Sequence, residues 1–148
     1  MNEYRAMKKR HQQEVHAFPL GYAFGNQQFK ELMSKWGLDA DTKENLAQVS
    51  SLFGGAYILK KDIPAYRDMC HRHQEEREAA IAADQTGDGY IYQMFLCELE
   101  DHEYGYTRDT EDALTILGYT IQDVLGDPRL KHGIEKAEAK IIKSEKQK

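Results

Sequence analysis

Apolar residues recur at helical spacing in several separate stretches of this chain, with short polar intervals between them. Tyr4, Met7, His11, Val15 and Phe18 fall at steps of three and four, which predicts a first helix. Asn2 stands where a capping side chain belongs, Glu3 lies in the first turn, and Pro19 and Gly21 end the run. Tyr22-Ala23-Phe24, aromatic and bounded by Gly21 and Gly25, predicts a strand. Asn26 is expected to cap a second helix with Phe29, Leu32, Met33 and Trp36 on one face and Gly37 at its end. A polar connection follows from Asp39 to Asn45, with room for a helical turn at Lys43-Ala47. The run from Leu52 to Leu59 predicts a second strand, in which Gly54-Gly55 reads as a bulge or a close backbone approach.

Asp62 is expected to cap a long helix with Pro64 in its first turn and a buried stripe of Ile63, Tyr66, Met69, Cys70, His73 and Ile81. A break at Gln85 to Gly89 precedes a helix carrying Ile91, Met94, Phe95 and Leu99, then a polar segment from Glu100 to Thr107. Asp109 or Thr110 starts a short helix ending at Gly118, Thr120 caps another ending at Gly126, and Asp127-Pro128 opens the last. Two short strands cannot form a core alone, so they must pair with each other or with a third and lie against helices. The expected fold is α+β, mostly α, with about six helices packed on a two- or three-stranded sheet. One globular domain over residues 1–148 is expected, with 140–148 a frayed basic tail.

Composition narrows the classes. Nine Tyr and five Phe supply bulky core material and argue against disorder. No apolar run is long enough to span a membrane, and Met1 to Arg10 reads as a polar helix instead of a secretory signal. Cys70 and Cys97 lack CxxC spacing and are expected as reduced thiols in a cytoplasmic protein. A net charge of −5 speaks against general nucleic-acid binding.

Charge distribution says more than its sum. Seven acids (Glu98, Glu100, Asp101, Glu103, Asp109, Glu111 and Asp112) face one base, Arg108, over residues 98–112. Tyr104, Tyr106 and Tyr119 lie in or beside this run, and Tyr is favoured at interfaces because its ring buries area while its hydroxyl stays satisfied. Glu100, Asp101, Glu103, Tyr104, Tyr106, Asp109, Glu111 and Asp112 are therefore candidate binding residues; solvated carboxylates and rings that cover short helices are the structural alternative. His102 lies four residues after Glu98 and beside Glu103, a carboxylate–imidazole grouping that could serve acid–base or metal chemistry; one His is thin for a zinc site, and a helix-terminal imidazolium is the structural alternative.

Asp84-Gln85-Thr86-Gly87-Asp88-Gly89-Tyr90-Ile91 matches the first eight positions of an EF-hand loop, making Asp84, Thr86 and Asp88 candidate metal ligands. The twelfth position, which should be a bidentate Glu, is Phe95, and Tyr92 stands at the ninth; a helix-to-helix turn accounts for the segment better. His71 and His73, two apart on a helix, point to different faces, and His73 is expected inward. Gly54-Gly55 lacks the Lys and Ser/Thr of a phosphate loop, and no nucleophile elbow or dinucleotide fingerprint occurs.

Three stretches in order, Gly-Tyr-Ala-Phe-Gly-Asn-Gln-Gln-Phe (21–29), Gly-Gly-Ala-Tyr-Ile (54–58) and His-Glu-Tyr-Gly-Tyr-Thr-Arg-Asp-Thr-Glu-Asp-Ala-Leu (102–114), resemble an uncharacterised family of small phage and mobile-element proteins of gut Firmicutes. The resemblance runs over nearly the whole chain. It implies a setting, no activity, and a concentration of family identity in residues 100–114. The expectation is a non-enzymatic accessory protein that binds an unknown protein partner through its acidic, Tyr-bearing surface, with no cofactor and with homo-oligomerisation open. Alternatives are a small metal-dependent enzyme or hydrolase centred on His102, Glu98 and Glu103, and a nucleic-acid-binding accessory protein using Arg5, Lys8, Lys9, Arg10 and the basic tail.

Overall fold

The computed structural model describes residues 2–147 and divides into two compact units, Met1–Arg10 with Glu75–Lys148, and His11–Gln74. Among the described residues there are nine α-helices and three strands, so the fold is α+β, mostly α. Helix α1 (Glu3–Ala17) and helix α4 (Ile63–Ala83) each contribute to both units.

In the unit of residues 11–74, β1 (Gly21–Tyr22), β2 (Val49–Ser51) and β3 (Ala56–Leu59) form an antiparallel sheet in the order β1-β3-β2. The run expected as one bulged strand is instead the turn and second arm of a hairpin. Val49 pairs with Leu59 and Ser51 with Tyr57, while Gly54 (φ 54°) and Gly55 (φ 80°) make the turn, closed by the Ala56 N–H on the Phe53 carbonyl at 2.9 Å. Two consecutive positive φ values suit the right-handed twist of a hairpin, and glycine reaches them without strain. The first strand lies one residue earlier than its aromatic pattern indicated, leaving Phe24 exposed. Helix α2 (Asn26–Lys35) begins at Asn26, which is its first helical residue and not its cap; Gly25 flanks it with no side-chain cap. Gly37 ends that region with φ 73°. Thr42 caps the short α3 (Lys43–Leu46) by accepting from the Asn45 N–H. Buried Ala23, Leu32, Met33, Ala56, Ile58 and Met69 are apolar members of this unit.

Helix α4 is entered directly from a 3-10 turn, Lys60–Asp62, so Asp62 belongs to that turn. Met69 and His73 are buried as expected, but Cys70 is exposed. Both cysteines are free thiols.

In the other unit, α5 (Tyr90–Asp101) buries Tyr90, Ile91, Met94, Phe95, Cys97, Glu98 and Leu99. It lies against α9 (Pro128–Lys146), which buries Leu130, Gly133, Ile134, Ala137 and Ile141. Gly133 permits this approach: a Cβ there would sit 2.6 Å from Ile91 Cγ2 and 3.1 Å from the Gly87 carbonyl oxygen. Between them come three short helices, α6 (Tyr104–Thr107), α7 (Glu111–Leu117) and α8 (Ile121–Leu125). The polar segment 100–107 is thus largely helical. Gly118 (φ 79°) ends α7, Thr120 and Asp123 form a capping box on α8, and Asp127 caps α9 ahead of Pro128. Helix α9 continues to Lys146 with Ile141 buried; Lys148 lies outside the described residues. No described helix is long and apolar enough to cross a membrane.

Candidate functional site

The acidic run divides into a neutralised half and an open half. At the end of α5, Glu98 is 0% exposed. Lys8 Nζ lies 2.5 Å from its Oε1, and the Tyr4 hydroxyl donates to Oε2 at 3.3 Å. A carboxylate so deeply buried needs a partner of opposite charge, and α1 supplies it across about ninety residues of sequence. Lys8 also stands 3.8 Å from Asp101, while Arg5 lies 3.7 Å from Asp101 and 4.0 Å from Glu100. Burial, and then the Glu98 charge, pushes the Tyr4 phenol up, so it stays a donor.

Cys97, Glu98 and Asp101 form the one group of three Cys, His, Asp or Glu ligand atoms mutually within 4.8 Å among the described residues. Sequence reasoning missed this grouping because Cys97 stood outside every motif considered. Its occupant is the Lys8 ammonium, held by both carboxylates. Burial, and then Asp101, pushes the Cys97 thiol up to about 11, and its S–H donates to Asp101 Oδ2 at 3.6 Å. This is the wrong direction for a thiolate nucleophile or ligand.

His102, Glu98 and Glu103 do not present their chemistry to one another. His102 Nδ1 lies 2.8 Å from the Glu98 main-chain carbonyl, and the Glu98 carboxylate is turned to α1. Glu103 follows with φ 63°.

The glycine-rich loop before α5 is organised by its own protein contacts. The Asp84 carboxylate accepts from the Gly87, Gly89 and Ile91 N–H groups, each at 3.0 Å. Burial opposes its charge, but these backbone donors outweigh it and hold the carboxyl below its ordinary range. Thr86 Oγ1 accepts from the Asp88 N–H, and Asp88 Oδ1 is held by His132 Nε2 at 2.6 Å and Lys136 Nζ at 3.2 Å. The His132 bond, and then Lys136, lower the Asp88 carboxyl. Phe95, at the position of the missing Glu, is fully buried in the core.

The open half starts at α6. This single turn is bracketed by two non-glycine residues in the left-handed region, Glu103 (φ 63°) and Arg108 (φ 60°). Such residues each cost on the order of 1–3 kcal/mol and persist only where their surroundings hold them. Tyr104 anchors the turn, buried and donating to Glu138 Oε2 at 2.7 Å; burial and then that bond push its phenol up to about 12. The Arg108 guanidinium turns back onto the Gly105 carbonyl at 2.5 Å and the Tyr104 carbonyl at 3.3 Å. Tyr106 is then thrust into solvent, 90% exposed.

On the helices that follow, Ile116 (63%), Ile121 (45%) and Leu125 (58%) are also exposed. Among the described residues no Lys, Arg or His reaches ion-pair distance of Glu103, Asp109, Glu111 or Asp112. Of the expected binding residues, Glu103, Tyr106, Asp109, Glu111 and Asp112 lie on this exposed segment, Glu100 and Asp101 pair with Arg5, and Tyr104 is buried. Ile116, Ile121 and Leu125 were absent from the sequence-based set, which was drawn from acids and tyrosines alone.

A family of unknown function, DUF7659, matches residues 3–140. The chain belongs to that family. No curated protein and no solved structure matches it. The match takes in α1 to α8 and most of α9, and so includes both halves of the acidic run.

Proposed function

We propose that this DUF7659 chain is an accessory protein that acts by binding another protein, using the exposed acidic, Tyr-bearing segment around α6 and the start of α7. The supporting observation is Tyr106, 90% exposed on a turn whose two flanking non-glycine residues are held in the left-handed region. Backbone held in the left-handed region on both sides of an exposed aromatic ring is a feature of recognition elements, although the same turn also buries Tyr104. Among the described residues Glu103, Asp109, Glu111 and Asp112 have no base at ion-pair distance, and exposed Ile116, Ile121 and Leu125 follow along the chain. The resemblance to mobile-element proteins makes a host or element protein the partner class.

Capture from a cell lysate tests this with wild type, Tyr106→Ala and Asp109→Lys/Glu111→Lys. Proteins retained by wild type and lost from both variants support it. Identical partner sets from all three, with all three folded by circular dichroism, discard it.

A further inference from the structure

We infer that residues 11–74 carry a second recognition site, a groove between the free edge of β1 and helix α2 that takes an extended peptide as an added strand. The site lies outside the acidic segment and does not depend on it. Sheet order leaves β1 with one unpaired edge, and the register fixes what that edge offers. The Ala23 N–H donates to the Gly55 carbonyl at 2.9 Å, so alternation turns the N–H and carbonyl of Tyr22 away from β3. Phe24 has the same parity as Tyr22 and shows what stands on that side: its N–H donates to Gln28 Oε1 of α2 at 2.8 Å. Among the described residues no partner meets the Tyr22 N–H or carbonyl. Helix α2 is fixed beside this edge, since a Cβ on Gly21 would overlap the Leu32 side chain. Between strand and helix runs a groove of about 570 Å³ whose walls include Tyr22, Phe24, Glu31, Lys35 and Trp36. An unpaired edge is a template for a further strand, because another backbone supplies an acceptor and a donor at the right spacing.

The side chains select the occupant. In an added antiparallel strand, the residue facing Tyr22 turns its side chain to the Tyr22 side of the sheet, where an apolar group covers exposed ring. Its two neighbours turn toward α2, where Glu31 and Lys35 have no ion-pair partner among the described residues. These charges lie four residues apart, about 6 Å along the helix, and alternate residues of a strand lie about 6.6 Å apart, so one strand can meet both. Gln28 meets Phe24 while Leu32 meets Gly21, so β1 and α2 run in opposite senses. An added antiparallel strand therefore runs with α2 and passes Glu31 before Lys35. It is matched by the order base, apolar residue, acid. A second copy offering its own β1 would set Ala23 and Gly21 there and leave both charges unmet.

The test titrates isotopically labelled full-length chain with a short peptide, blocked at both ends, that has Arg-Val-Glu at its centre. Controls exchange its Arg and Glu, or methylate the Val backbone nitrogen. Expected are amide shifts concentrated in residues 20–36 and slowed hydrogen exchange at the Tyr22 amide. The N-methylated peptide, which cannot donate to the Tyr22 carbonyl, should bind about tenfold more weakly or worse. The charge-exchanged peptide should bind wild type about threefold to tenfold less well, and Glu31→Lys/Lys35→Glu should reverse that order. Should the double variant misfold, Lys35→Glu alone must lose the preference. Equal binding of the N-methylated peptide, shifts centred elsewhere, or no shift at millimolar peptide overturns the inference. An unchanged peptide order in the folded variants does the same. Concentration-dependent shifts at Tyr22 without peptide would make a second copy the occupant and also overturn it.

Discussion

At the level of single residues, the sharpest contrast lies between two tyrosines two positions apart. Tyr104 is buried with its hydroxyl on Glu138, whereas Tyr106 is almost fully exposed. Tyr104→Phe should lower stability by about 1 kcal/mol, the net worth of a part-buried hydrogen bond, in denaturant unfolding. Tyr106→Ala should fall within about 0.5 kcal/mol of wild type in the same measurement, so that any binding it loses is not lost folding. Glu103→Gly relieves a left-handed residue and should raise stability by about 0.5–1 kcal/mol; a loss would mean the glutamate makes a compensating contact. Lys8→Met leaves a fully buried carboxylate without its cation and should cost about 3 kcal/mol, with Lys8→Met/Glu98→Leu recovering most of that. Equal losses in single and double variants would show that packing, not charge, is at stake.

Elements differ in how plainly their residues announce them. Where a cap and an apolar stripe coincide, sequence and structure agree: Thr120, Asp127 with Pro128, and Gly118 all mark real helix ends. Strand β2, Val49-Ser50-Ser51, is polar and three residues long, and exists because β3 offers it a register through a glycine turn. Helix α6 has no apolar periodicity and is held by the Tyr104–Glu138 bond and the Arg108 guanidinium. Half of the site was legible for the same reason. Uncompensated acids beside Tyr are visible in one dimension, but the bases that neutralise Glu98, Glu100 and Asp101 sit on α1, read from sequence as a basic patch. In the element pair α5–α9, Gly133→Ala should cost about 2 kcal/mol in thermal unfolding, because its methyl group must displace Ile91 or the Gly87 carbonyl.

For the molecule as a whole, lowered carboxyls lie in both units, Asp84, Asp88 and Asp127 in one and Glu14 in the other, so acid should weaken each through its own groups. In residues 11–74, the Arg72 guanidinium beside Glu14 holds that carboxyl down to about 2, with His73 adding to the effect, and the His11 and His73 rings stack at 3.8 Å. A depressed carboxyl contributes stability above its unfolded value of about 4.5 and loses it as pH falls toward 2. The pair is partly exposed and screened, so the loss should be modest. Hydrogen exchange from pH 5 to pH 2.5 should show residues 11–74 losing protection, less steeply in Arg72→Met; parallel curves would remove Glu14 as the cause.

Chain order carries a further consequence. Residues 11–74 have all their mutual partners once residue 74 has been made, while residues 3–8 must wait for the stretch around residue 98, as the Tyr4, Lys8 and Glu98 contacts require. On the ribosome, residues 3–8 therefore find their place only after the stretch around residue 98 has been made, and the inserted unit can form while the unit that encloses it in sequence is still being translated.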